Sequence, residues 1–217
     1  PVVRGDSPAT ELFPQFKDTL YEMVAGEAHG LSEDQLDFES DRWEWSKWSI
    51  RRNISHMASG DFRWMWVRWG AQLFPQGLPN GTELDAICES PHDRRLDEDK
   101  YWDISALLEK VKEGLDFCWS VLATETVDSM RTRVLETPSD TLWADHPEIF
   151  PNGVREFPGD ASKVYLTLEA SFSHRYFEYL AHLFNVQRLK KAQGLEPAVK
   201  LPFEGYMALP GWDISEP

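Results

Sequence analysis

The chain has 217 residues, 41% of them apolar, and a formal net charge of −15 at pH 7. This length suits one large domain with a sizeable core. The acidic balance argues against nucleic acid and membrane surfaces as partners, because both are bound by clustered Lys and Arg. The sequence lacks the roughly 18 apolar residues of a membrane span, and its start lacks a signal-peptide core, so we expect a cytoplasmic location.

Four amphipathic patterns, with apolar residues three and four apart, predict long helices. They cover about residues 11–30, 46–73, 104–129 and 162–193. Between them, residues 74–101 and 135–162 are rich in proline and are predicted to be long connections. The predicted fold is therefore all-α, a four-helix bundle with long crossover connections. We expect a single domain over 1–217, with a helical core of about 10–198 and a C-terminal strap of 199–217.

The two cysteines, Cys88 and Cys118, are too far apart in sequence for a zinc knuckle or a redox motif. Cys118 lies in an apolar helical stretch, which predicts a buried structural thiol.

Glu178 and His182 are four residues apart in the last predicted helix, so one helical face carries both. Taken alone, such a pair is explained as well by a contact between exposed side chains. Their neighbours are mostly apolar, however, and a buried glutamate or histidine must be paired or must hold a metal. His56 lies on the apolar side of the second predicted helix; a core histidine bonded to a backbone carbonyl is the alternative there. Three such ligands would leave a coordination position open, as in catalytic metal sites.

Two short motifs strengthen this interpretation. One runs from Trp48 through Ile54-Ser-His56-Met-Ala, and the other combines His182, Gln187-Arg-Leu and Gly194-Leu-Glu-Pro197. Together, over about residues 10–198, they resemble the DinB/YfiT-like superfamily of metal-binding four-helix bundles. The resemblance implies His56, Glu178 and His182 as metal ligands. The glutamate at 178, where many members have histidine, resembles the branch containing mycothiol-dependent maleylpyruvate isomerase.

The resemblance implies a metal-dependent enzyme that acts on a small-molecule substrate. A thiol-dependent S-transferase or isomerase, using mycothiol, bacillithiol or glutathione, is the first expectation. A metal-dependent hydrolase and a non-catalytic bundle that binds a small ligand are the alternatives. Zinc is the expected metal, while nickel, iron and manganese also suit a site of two imidazoles and a carboxylate. A homodimer is expected if the aromatic-rich helices leave an apolar face.

Further candidates lie on the same two helices. His174, one turn before Glu178, is predicted to be a catalytic base; it could also replace Glu178 as a ligand or lie near the mouth of the bundle. Arg175 and Asn185 are predicted to orient ligands or to bind a cofactor or substrate oxygens. Asp61 could accept from a ring N–H of His56 or could lie on a solvated surface.

Three tryptophans ahead of the second helix could wall the open side of the site: Trp43, Trp45 and Trp48.

Overall fold

The computed structural model describes residues 3–217, so the first two residues of the predicted domain lie outside the described part. Its α-helices are α1 (Thr19–Ala28), α2 (Glu33–Leu36), α3 (Ile50–Phe62), α4 (Gly70–Leu73), α5 (Gly81–Cys88), α6 (Ile104–Thr124), α7 (Val127–Thr132), α8 (Leu142–Asp145) and α9 (Leu168–Ala192). Its strands are β1 (Val134–Pro138), β2 (Val154–Glu156) and β3 (Lys163–Thr167). Short 3₁₀ turns occupy Ala9–Glu11, Pro14–Phe16, Glu44–Ser46 and Gly205–Ala208.

The bundle consists of α1, α3, α6 and α9, with α3 packed against both α6 and α9. Every residue of α3 except Arg52 is buried. The helices that carry the candidate site begin at side-chain caps: Ser49 accepts from the amide of Arg52 at 3.2 Å, and Thr167 accepts from that of Ala170 at 3.1 Å. Such caps satisfy amide donors that a helix N-terminus otherwise leaves unpaired. They fix where α3 and α9 start, and hence which side chains face the space between them.

The structure is mostly helical, as predicted, but the all-α prediction is wrong for parts of residues 134–167. The strands in this range form a three-stranded antiparallel sheet with strand order β1-β3-β2, in which Leu166 pairs with both Leu135 and Val154. The segment Lys163–Thr167 contains β-branched and aromatic residues that favour strands. It ends at Thr167, the cap of α9, so the last helix begins at Leu168 instead of the predicted 162.

The second predicted helix is continuous along the chain but changes its geometry. After Phe62, residues Arg63–Arg68 form a π-helical turn, marked by a 3.1 Å bond from the Trp69 amide to the Trp64 carbonyl, five residues earlier. The short α4 then completes the predicted span to Leu73. Turns of this kind are rare and are often found at functional sites.

The other two predicted helices are shorter than expected. Of the first, only Thr19–Ala28 is α-helical, because the segment before it is divided between two 3₁₀ turns. The third ends at Thr124, where Glu125 is extended, and α7 follows. Cys118 is fully buried, as predicted. No helix among the described residues is both long and apolar enough to cross a bilayer.

The C-terminal segment packs against α9 and contributes Tyr206 and Leu209 to the hydrophobic core. Arg188, on α9, donates to the backbone carbonyls of Asp213 at 3.1 Å and Ser215 at 3.0 Å. These contacts hold the predicted strap against the end of the bundle.

Glu27 joins α1, α9 and the start of the strap through a fully buried carboxylate. It accepts from Lys190 at 2.6 Å, from Gln187 at 2.7 Å and from the amide of Val199 at 3.0 Å. Burial raises the pKa of Glu27, but these hydrogen bonds outweigh it and lower the pKa below 4.5. The folded protein therefore stabilises the ionised form.

Glu27→Gln is expected to lower the free energy of unfolding at pH 7 by about 3–5 kcal/mol, because Lys190 would remain buried without its counter-charge. The folded-state pKa is depressed, so the contribution of Glu27 is complete above 4.5 and is lost as the pH falls through the lower folded value. Urea unfolding of both proteins at neutral and acidic pH measures the difference. The difference in unfolding free energy between the parent protein and Glu27→Gln should be smaller in acid than at neutral pH. The control Glu22→Gln, at an exposed position, should change the unfolding free energy little at either pH. An equal difference for Glu27→Gln at both pH values would contradict the ionised, buried carboxylate.

Candidate metal centre

Helices α3 and α9 bring His56, Glu178 and His182 together, and we call these three residues the His–Glu–His cluster. One potential ligand atom from each lies within 4.8 Å of the others. The centroids of the two imidazole rings are 4.4 Å apart. Glu178 and His182 project from one face of α9, one turn apart, and His56 meets them from the buried middle of α3. The structure thus brings together the three residues that the sequence predicted to be ligands.

The tautomer of His56 follows from its hydrogen bond to the backbone. Its Nδ1 lies 2.8 Å from the carbonyl oxygen of Arg94, which can only accept, so Nδ1 carries the hydrogen. Burial is the main reason that the pKa of His56 falls to about 4, and the nearby His182 lowers it further. At neutral pH the ring is therefore uncharged, and Nε2 presents a lone pair to Glu178.

The tautomer of His182 is fixed in the same way by Asn53. The Nδ2 of Asn53 donates to the carbonyls of Trp48 at 3.1 Å and Ser49 at 2.9 Å, which leaves its Oδ1 as an acceptor. That Oδ1 lies 2.7 Å from Nδ1 of His182, so Nδ1 again carries the hydrogen. The Nε2 of His182 is consequently free to bind a cation. Histidine ligands in metal sites are usually oriented by such a hydrogen bond from the second ring nitrogen.

Glu178 meets both imidazoles with the same carboxylate oxygen. Its Oε2 lies 3.0 Å from Nε2 of His56 and 3.7 Å from Nε2 of His182. Burial raises the pKa of Glu178, but the two histidines more than offset it and hold the pKa well below 4.5. The acid is therefore a carboxylate at neutral pH.

The cluster thus brings two imidazole nitrogens close to one carboxylate oxygen. These atoms repel one another unless a shared proton or a metal ion lies between them. Two ligands about 2.0–2.1 Å from a tetrahedral zinc ion are about 3.3 Å apart, and the observed 3.0 and 3.7 Å lie on either side of that value. Their chemistry suits zinc, nickel, iron and manganese alike. The residues present fit a divalent ion.

One side of the cluster is accessible and another is walled by Trp48. The side chain of Glu178 is 23% exposed and that of His182 is 15% exposed. The Trp48 ring stacks on His182, with an interplanar angle of 16°. Of the three tryptophans predicted to wall the site, only Trp48 does so. Trp43 and Trp45 stack on each other, 4.8 Å apart.

His174 lies outside the cluster, so Glu178 and not His174 occupies the acidic position. Its Nδ1 is 2.5 Å from the hydroxyl of Tyr206, and its ring packs between Trp64 and Trp143. Burial is the main cause that lowers the pKa of His174 to about 4. Its role as a catalytic base stays a prediction.

Arg175 is buried beneath the cluster, so its contacts do not support the prediction that it binds a cofactor. Its guanidinium donates to Asp61 at 3.0 Å and to the carbonyl of Met57 at 2.8 Å. Gly60 leaves room for this group, since a Cβ there would lie 2.3 Å from Nη1 of Arg175. The same nitrogen is 3.9 Å from Oε2 of Glu178. Arg175 therefore lies close enough to Glu178 to support its carboxylate, and its role in binding a cofactor stays a prediction.

Asp61 and Asn185 make contacts that the sequence did not predict. Asp61 was a candidate partner for His56, but it pairs with Arg175 and accepts from the hydroxyl of Tyr179 at 2.7 Å. The hydrogen-bond partner of His56 Nδ1 is instead the backbone carbonyl of Arg94. Asn185 accepts from Arg188, which also binds the C-terminal strap. Its side-chain oxygen therefore helps to hold the strap through Arg188, and its role in cofactor binding stays a prediction.

Sequence reasoning missed the two groups that fix the histidine tautomers, Asn53 and the carbonyl of Arg94. Asn53 had a detectable signal, because it is a polar residue one turn before His56 on a helix with few exposed positions. The carbonyl of Arg94 had no such signal, because it is a backbone group and lies in the segment that connects α5 to α6. Arg94 has a φ of 55°, a left-handed conformation that is uncommon for a residue with a side chain.

Comparisons of the chain with protein-family models, with curated proteins and with solved structures found no match. Function must therefore be argued from the cluster and its surroundings.

Asn53→Leu is expected to weaken zinc binding by about 10- to 100-fold, the usual effect of removing a hydrogen-bond partner from a histidine ligand. Asn53→Asp keeps an acceptor for Nδ1 of His182 and should bind zinc more tightly than the leucine variant. Competition with a chromophoric zinc chelator measures both affinities. Equal affinities in the two variants would show that Asn53 does not orient His182.

Proposed function

We propose that this protein is a metal-dependent enzyme in which His56, Glu178 and His182 hold one divalent ion, with zinc as the first candidate. The observation that carries the proposal is the pair of fixed tautomers, which leaves both Nε2 lone pairs facing one carboxylate oxygen. Three protein ligands leave a coordination position for water or substrate, as in catalytic zinc sites.

A divalent ion with an open position lowers the pKa of a thiol or water molecule that binds to it. The chain's own groups would complete the site. Glu178 supplies negative charge on its accessible side, Arg175 holds that carboxylate from below, and the indole of Trp48 covers the face of His182.

The reaction class that we propose is S-transfer or isomerisation with a low-molecular-weight thiol, which the resemblance to the DinB/YfiT-like superfamily implies. The protein's own cysteines are poor candidates for this thiol. Burial raises the pKa of Cys88 to about 11, and burial also raises the pKa of the fully buried Cys118 well above its usual value. A thiol nucleophile would therefore come from a separate small molecule.

Cobalt substitution separates the candidate functions, because a thiolate bound to cobalt gives a charge-transfer absorption in the near ultraviolet. The cobalt-loaded protein would be titrated with mycothiol, bacillithiol and glutathione, with His182→Ala as the control. We expect the band with one of the three thiols in the parent protein and none in the variant.

The other outcomes are equally specific. Metal-dependent ester or amide cleavage without any thiol would favour the hydrolase. Metal binding with neither a thiolate band nor metal-dependent cleavage would favour a non-catalytic helical bundle. A protein that binds no metal would contradict all of the metal-dependent proposals.

A further inference from the structure

A cavity of about 410 Å³ lies beside the π-helical turn of the second long helix. Its walls are Arg63, Trp64, Val67, Arg68, Cys88 and Arg94. Three of these six residues are arginines, in a chain whose net charge is −15. Arg94 connects the cavity to the cluster, because its backbone carbonyl is the group 2.8 Å from Nδ1 of His56. The cavity is therefore a locally cationic chamber that contacts the cluster only through Arg94, on the Nδ1 side of His56.

The π-helical turn places two of the arginines on this cavity. In an α-helix of 3.6 residues per turn, Arg63 and Arg68 would lie about 140° apart around the axis. The wider turn at Arg63–Arg68 brings residues five apart nearly into line, and both side chains line the cavity. The π-helical turn therefore places two guanidinium groups on the wall of the same cavity.

These two guanidiniums lack acidic partners. Among residues 3–217, neither Arg63 nor Arg68 forms an ion pair, although the chain is rich in carboxylates. Arg63 donates only to the carbonyl of Cys88, at 3.4 Å. Arg68 lies over the ring of Trp64, 4.1 Å from its centroid, and is partly buried. A partly buried cation is usually paired, so an unpaired one beside a cavity indicates a ligand of opposite charge.

Trp143 adds a second unsatisfied donor next to Arg68. The guanidinium of Arg68 is 5.7 Å from the centroid of the Trp143 ring. The indole N–H of Trp143 is buried and finds no acceptor among the described residues. The remaining walls, Trp64 and Val67, are apolar. The cavity therefore combines guanidinium donors with apolar wall residues.

We infer that this cavity binds the oxyanion of a small organic substrate, a carboxylate or a phosphate. Arg63 and Arg68 would bind the anion, since guanidinium groups form paired hydrogen bonds with both types of oxyanion. Trp64 and Val67 would contact its apolar part. As an assignment of substrate class, this rests on the proposed function; anion binding by itself does not.

The test uses benzoate and phenyl phosphate as anionic probes and benzamide as a neutral one, in calorimetric titrations at low ionic strength. Arg63→Gln and Arg68→Gln should each weaken binding of the preferred anion by about tenfold or more. Arg42→Gln is the matched control, because Arg42 also lies over a tryptophan, 4.5 Å from the Trp43 centroid, but is exposed and outside the cavity. Benzoate and phenyl phosphate together show which oxyanion the cavity prefers.

Zinc affinity is measured in the same variants. Unchanged zinc binding with weakened anion binding would support the inference. Benzamide binding as tightly as the anions, or anion binding unaffected by both substitutions, would overturn it while leaving the metal proposal standing. Arginine-dependent anion binding in a protein that binds no zinc would overturn the proposed function and, with it, the anion's assignment as a substrate of the metal site.

Discussion

Replacing His56, Glu178 or His182 with alanine is expected to weaken zinc binding by more than about a hundredfold. Losing a mere hydrogen-bond partner of a ligand costs 10- to 100-fold, and these substitutions would remove one of three donors outright. Direct competition with a chromophoric chelator gives the affinities. Exposed His29→Ala is the control, since it removes an imidazole from elsewhere in the chain, and it should bind zinc like the parent protein.

Thermal stability provides an independent measurement of the same effect. A ligand that binds only the folded state, at a hundred times its dissociation constant, stabilises that state by about 2.7 kcal/mol. Zinc at that concentration should therefore raise the melting temperature of the parent protein and of the His29 variant. It should leave the three cluster variants nearly unchanged. A zinc-induced increase that survives all three substitutions would mean that the ion binds elsewhere.

Asp61→Asn is expected to lower the free energy of unfolding by about 3–5 kcal/mol, because it would leave the guanidinium of Arg175 buried without its counter-charge. The side chains of both residues are almost completely buried, at 0% and 1% exposed. Chemical denaturation measures the change. Asp116→Asn is the matched control: Asp116 also pairs with a basic residue, Lys112, but on an exposed face of α6. Its loss should cost less than about 1 kcal/mol.

The Asp61 variant also tests whether Arg175 supports the cluster. Because Arg175 is 3.9 Å from Oε2 of Glu178, displacement of its guanidinium should weaken zinc binding in protein that remains folded. A stability loss like that of the Asp116 control would contradict the buried pair. Full zinc affinity in a folded Asp61→Asn protein would limit Arg175 to a packing role.

Sequence patterns were most informative for features that depend on a single helix, such as its position in the chain and the residues that share one of its faces. Apolar spacing located the four long helices of the bundle. The i, i+4 spacing of Glu178 and His182 placed both on one face of α9. His56 was predicted to join them only through its apolar neighbours and the family resemblance, because helical periodicity does not specify which helices pack together.

The predictions failed where the structure depends on contacts between residues that are far apart in sequence. Asp61 was a candidate partner for His56, but it pairs with the guanidinium of Arg175, which lies far away in sequence. Residues 163–167 include side chains that favour strands, but their pairing with β1 and β2 depends on residues distant in sequence, and strand β3 was included in the predicted helix. The π-helical turn at Arg63–Arg68 was likewise undetectable from spacing, and it changes which side chains share a surface.

The most direct test of the central claim is a crystal structure of the zinc-loaded protein with anomalous data collected at the zinc edge. We predict one strong anomalous peak bounded by Nε2 of His56, Nε2 of His182 and a carboxylate oxygen of Glu178, at about 2.0–2.2 Å from each. No peak at this position, with a hydrogen bond directly joining His56 to Glu178, would contradict the claim and leave the three residues as a buried polar contact between α3 and α9.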